Sequence, residues 1–116
     1  MLGKALFNIS LDLAAAGDAV AQLNIGSRYM TGAGVDASVH QAFEWFERAA
    51  ESGLADAQYN LALCYARGDG VAKNERESRA WLRRAAAGGS SLAKVAAQEA
   101  RDADILKIFL AGRPRM

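Results

Sequence analysis

The chain has 116 residues, 52% of them hydrophobic and 23% charged, with a formal net charge of +1 and a single proline, Pro114. That length makes one domain with room for a real core that needs neither metal nor disulfide. The balance excludes collagen-like, mucin-like, Pro-rich and charge-driven disordered classes.

From the N-terminus, residues 4–16 read as an amphipathic helix. Lys4 and the apolar residues before Ala14-Ala15-Ala16 loosely mimic a leader, but Asn8, Ser10 and Asp12 interrupt the apolar stretch. Residues 18–31 form the next helix, with Ala21, Ile25 and Tyr29 at intervals of four. It stops at Gly32 and Gly34, where the chain can reverse. Residues 37–52 carry Ala42, Phe46 and Ala49 with Trp45 beside them, and end at Gly53. The pair then recurs. Residues 54–67 hold Ala57, Leu61 and Tyr65, and residues 74–87 hold Ser78, Trp81, Leu82 and Ala85. Small residues at Ala21, Gly26, Ala42 and Ala49 suit closely approaching helix axes. A last helix is expected over 90–110. Arg101 and Asp104 stand where the pattern wants Tyr and Gly, so the helix runs on through Ile105, Leu106 and Phe109 to Gly112.

The recurrence has a period of 36 residues. Residues 19–54 and 55–90 are identical at 13 of 36 positions, among them Gln22/Gln58, Asn24/Asn60, Tyr29/Tyr65, Trp45/Trp81 and Arg48/Arg84. Seven of the eleven glycines lie on this lattice, and 26 alanines suit a stack of closely packed helices. The domain therefore divides into a half repeat (4–17), repeats at 18–53 and 54–89, a capping helix (90–112) and a tail (113–116).

The run Ala21-Gln22-x-Asn24-Ile25-Gly26-x-x-Tyr29-x-x-Gly32-x-Gly34-Val35, then Ala42-x-x-Trp45-Phe46-x-x-Ala49-Ala50-x-x-Gly53, resembles a Sel-one-like repeat of the tetratricopeptide superfamily. The second copy resembles it through Ala57-Gln58-x-Asn60-Leu61, Tyr65, Gly68-x-Gly70-Val71, Trp81, Ala85-Ala86 and Gly89. The resemblance implies an all-α fold, a right-handed α-solenoid of about six helices, with first helices lining a concave face. It also implies a non-catalytic adaptor or scaffold, common in bacteria. The disulfide-clipped branch of the family, for which β-lactam binding has been described, is not matched, because Cys64 has no second cysteine to pair with.

Catalytic signals are weak. Gly32-x-Gly34-x-x-Ala37 approximates a dinucleotide fingerprint, but that motif needs a strand before it, and here a helix precedes. His40 and Cys64 are single and do not recur. His40 is expected to face outward, and Cys64, aligned with Arg28, to be partly exposed. Glu44, Glu47 and Glu51 make a solvated helix stripe. No enzyme, no cofactor and no metal site are expected.

Asn24 and Asn60 recur inside the first helices. Each is either an amide that stabilises the repeat or a clamp for a peptide backbone. In the second case Leu23, Ser27, Tyr59, Leu63 and Arg67 are its groove neighbours. Arg76, Arg79 and Arg83 form a basic stripe on a second helix, with Glu75 placed to neutralise Arg79 in part.

The expected partner is a protein or peptide; nucleic acid is not expected, since no aromatic residues alternate with the basic ones. No apolar run is long enough for a membrane span, and the expected setting is cytoplasmic. Two alternatives remain open. One is a dedicated inhibitor or immunity-type protein with one cognate partner, using the charged faces and the terminal helix. The other is a self-associating protein joined through its terminal helices, favoured by a net charge of −4 over residues 1–56 and +5 over 57–116.

Overall fold

The computed structural model describes residues 2–99 and 101, which form six helices joined by short turns. They are α1 (Leu2–Ala15), α2 (Ala19–Thr31), α3 (Val39–Glu51), α4 (Ala55–Arg67), α5 (Glu75–Ala87) and α6 (91–99). Each expected helix is present, and its start lies within two residues of the predicted one. The apolar segment Ile105–Leu110 and its expected capping role lie outside the described residues.

Starts and stops follow local chemistry. The Asp18 carboxylate accepts from the Ala21 N–H at 2.8 Å, and the Asn74 side-chain oxygen accepts from the Glu77 N–H at 3.1 Å. Ser38 and Ser90 do the same for Gln41 and Ala93. Each cap satisfies one of the unpaired amides of a helix N-terminus. Leu54 is the exception, with no side-chain cap bond. It packs half-buried against Ala49, Ala50, Ala57 and Leu61 instead. The seven lattice glycines are the seven described residues with positive φ. Gly70, at φ +74, also backs so closely onto the start of α3 that an added Cβ would lie 2.8 Å from the Phe43 Cβ. The would-be dinucleotide loop is thus a helix C-cap: the Gly32 N–H closes on the Arg28 carbonyl.

Each of α1 to α5 packs on its neighbours in chain order, as an α-solenoid requires. The core is laid down in layers. Phe7, Ala14, Ala21, Ile25 and Trp45 form the first, and Ala49, Ala50, Ala57 and Leu61 form the next, with Trp81 against it. A third cluster, Ala42, Phe46 and Cys64, lies beneath α2 and α4. Gly26 makes it possible: a Cβ there would lie 2.6 Å from the Phe46 ring. In the second repeat Ala62 and Leu82 take these two places, a larger residue facing a smaller one.

Candidate functional site

The first helices of the two repeats, α2 and α4, lie one period apart and share a surface. Between them lies a cavity of about 150 Å³. Ser27, Met30 and Thr31 come from α2; Asn60, Leu63, Cys64 and Arg67 come from α4. Phe46 lines it from α3, and Asp69 from the turn after α4. A shallow depression beside it is lined by Asn24, Ser27, Arg28, Thr31 and Ala33. The two share Ser27 and Thr31, so Asn24 and Asn60 lie along one continuous surface.

Of the residues expected in the groove, Ser27, Asn60, Leu63 and Arg67 line the cavity, and Asn24 lines the adjoining depression. Tyr59 is half-buried and lines neither. Leu23 is placed differently: half-buried, it packs against both Ala49–Leu61 and Phe46–Cys64 clusters, so it ties layers together rather than lining the groove.

Neither Asn24 nor Asn60 has a side-chain hydrogen-bond partner among the described residues. The strut that ties each repeat to the one before is the glutamine two residues earlier. The Gln22 amide nitrogen donates to the Ala14 carbonyl at 3.1 Å, and Gln58 donates to the Ala50 carbonyl at 3.2 Å. Both glutamines are buried, so these bonds satisfy carbonyls at helix ends that solvent does not reach. The signal was in the sequence, since Gln22 and Gln58 match one period apart, but a recurring amide does not reveal which of two positions faces the core.

Cys64 corrects an expectation. It is not partly exposed but 1% exposed, against Phe46 and Ala42. The lattice misled because Phe46 has Ser10 as its counterpart one period earlier, so Arg28 and Cys64 face different covers. Burial, with a smaller push from Asp69 and partial relief from Arg67, raises the thiol to about 11. At neutral pH it is protonated and a poor nucleophile. His40 is exposed on α3, as expected.

On α5 the basic stripe is intact: Arg76, Arg79 and Arg83, with Glu75 and Ala80, line a shallow exposed surface. The acidic stripe on α3 shows mutual repulsion. Burial, then Glu51 and Glu44, raise the Glu47 carboxyl above its usual range. No group of three or more His, Cys, Asp or Glu side chains among the described residues is placed to hold a metal ion. None of the helices among the described residues is long and apolar enough to cross a membrane.

Comparison with known proteins agrees with this architecture. The Sel1 repeat family model matches residues 19–54 and 55–90. A Sel1 repeat protein from Oxalobacter formigenes superposes with a TM-score of 0.78 at 35% identity, over 82% of this chain and 39% of that one. The protective antigen c5321 of uropathogenic Escherichia coli, with an SLR fold, gives 0.75 at 35% identity, over 78% of this chain and 20% of that one. Cysteine-rich protein B of Helicobacter pylori gives 0.73 at 22% identity, over 77% and 67% of the two chains, a likeness of fold. The chain thus spans well under half the length of the first two. No curated protein matches it significantly.

Proposed function

This chain belongs to the Sel1 repeat family, whose members are typically protein-interaction modules, and from that premise we propose that it is a non-catalytic adaptor or scaffold. It binds an extended peptide or loop of a partner protein along the concave face built by α2 and α4. The observation that carries this reading is the division of labour between amides. Gln22 and Gln58 are consumed in holding the repeats together. Asn24 and Asn60 face a groove and have neither donor nor acceptor engaged among the described residues. A primary amide can pair with the N–H and C=O of any peptide unit, which suits recognition of main chain with side-chain pockets adding selectivity. The setting we propose is the bacterial cytoplasm, where a buried, unpaired Cys64 stays reduced.

Affinity capture with the wild-type chain and with Asn24→Ala/Asn60→Ala tests the reading. A protein retained by the first and lost by the second supports it; equal retention by both sinks it.

A second reading, self-association through the terminal helices, has its own observation. Leu6, Ile9 and Leu13 form an exposed stripe on α1, and Leu92 and Val95 are exposed on α6. Apolar stripes at these spacings pack against another helix where one is available. Light scattering over a concentration and salt series tests it: a mass that stays monomeric throughout removes it.

A further inference from the structure

The cavity between α2 and α4 has a chemistry of its own. Its floor is apolar, made by Met30, Phe46 and Leu63, and Cys64 is held there as a neutral thiol. At about 150 Å³ it matches a benzene-sized apolar group. Its rim is polar and unevenly charged. Arg67 lies at the rim and Arg28 in the adjoining depression, and neither has an ion-pair partner among the described residues. Asp69 is the one carboxylate lining either surface.

The lattice does not repeat this cavity. One period on, the places of Met30, Phe46, Asn60 and Leu63 fall to Ala66, Leu82, Ala96 and Glu99. A partner lying along the groove therefore meets one anchoring position, not a periodic row of them. Asn24 lies in the adjoining depression, one repeat from Asn60 and so roughly 10 Å from it by the spacing of stacked helices, which is about three residues of extended chain. A bound segment thus continues past the cavity toward Asn24, as an internal stretch of chain does.

We propose that this cavity seats one side chain of leucine, methionine or phenylalanine size from an internal, extended segment of a partner protein, with a neighbouring carboxylate side chain held by Arg67. This rests on the groove reading and adds the identity of the anchor to it. The apolar side chain supplies the affinity difference because it leaves water for the apolar surface of Met30, Phe46 and Leu63. The carboxylate supplies the direction of binding, since Arg67 offers a fork of donors that a lysine-bearing segment repels.

The test uses capped peptides of the form acetyl-Gly-Ser-Glu-X-Ser-Gly-amide, with X as Ala, Leu, Met or Phe, and a matching set with Lys in place of Glu. Titrations are followed by NMR on the backbone amides of α2 and α4 and the side-chain amides of Asn24 and Asn60. The Leu, Met or Phe peptides are expected to bind about tenfold or more tightly than the Ala peptide. Arg67→Glu is expected to invert the preference for Glu over Lys. Ser27→Trp, which fills the cavity mouth from an exposed helix position, is expected to erase the preference for X in a protein that melts as the wild type does. Flat affinity across X, with the Asn24 and Asn60 amides still shifting, overturns the anchor and leaves the groove reading standing. No shift in α2 or α4 with any peptide overturns both.

Discussion

Phe43 and Tyr65 meet edge to face, with ring centroids 5.6 Å apart and planes at 90°. Phe7 and Tyr29, each 36 residues earlier, adopt the same arrangement at 5.6 Å and 88°. The contact joins the second helix of one repeat to the first helix of the next, so it fixes the stacking of layers rather than the pairing within one. The Trp positions repeat as faithfully. Arg48 lies 4.6 Å from the Trp45 ring centroid and Arg84 lies 4.3 Å from that of Trp81.

Because both rings are only half-buried, Phe43→Ala is expected to cost about 2–3 kcal/mol, less than the roughly 3–5 kcal/mol of a buried aromatic truncated to alanine. A double-mutant cycle with Phe43→Leu and Tyr65→Leu should return a coupling of about 0.5–1.5 kcal/mol. Additive losses in denaturant melts would show that the ring geometry carries no energy of its own.

Gly26 and Phe46 form a second coupled pair. Gly26→Ala places a methyl group against the Phe46 ring and should destabilise by about 1–3 kcal/mol despite the better helix propensity of alanine. Adding Phe46→Leu recreates the Ala62 and Leu82 combination of the second repeat and should recover part of the loss. If Gly26→Ala alone raises the melting temperature, the close approach of α2 and α3 is wrong.

How much of this was legible beforehand depended on what kind of information the lattice carries. Helices, turns and glycines with positive φ were readable, because local conformation follows from residue type and spacing at each repeat. Ile25 and Leu61 were readable as core for the same reason, and both are fully buried. The environment of a non-matching position was not. Cys64 differs from Arg28 because its cover, Phe46, differs from Ser10, and that is a fact about a third residue on another helix. The groove was half legible. Asn60, Leu63, Arg67 and Ser27 were found on their helical face, whereas Leu23, on the neighbouring stripe of the same helix, turned out to serve the core.

The buried thiol gives a pH dependence with a definite sign. Folded Cys64 titrates at about 11 against an ordinary 9.0, so the unfolded chain releases its proton first. Its contribution is intact below pH 9 and is lost as pH rises toward 11, by about 2 kcal/mol in all. The stability advantage of wild type over Cys64→Ala should therefore shrink across that window. An advantage constant from pH 8 to 11 would mean that the thiol is solvated. Iodoacetamide should label Cys64 slowly in the native protein and rapidly in denaturant.

The most direct test of the account compares two double variants in one thermal melt. Gln22→Ala/Gln58→Ala removes both buried struts, at about 1 kcal/mol or more each, and should lower the melting temperature by several degrees. Asn24→Ala/Asn60→Ala removes only groove amides and should melt within about a degree of wild type, because neither side chain is buried in the core or bonded to a partner among the described residues. A fall of several degrees in the asparagine variant, equal to that of the glutamine variant, would contradict the assignment of Asn24 and Asn60 to a partner.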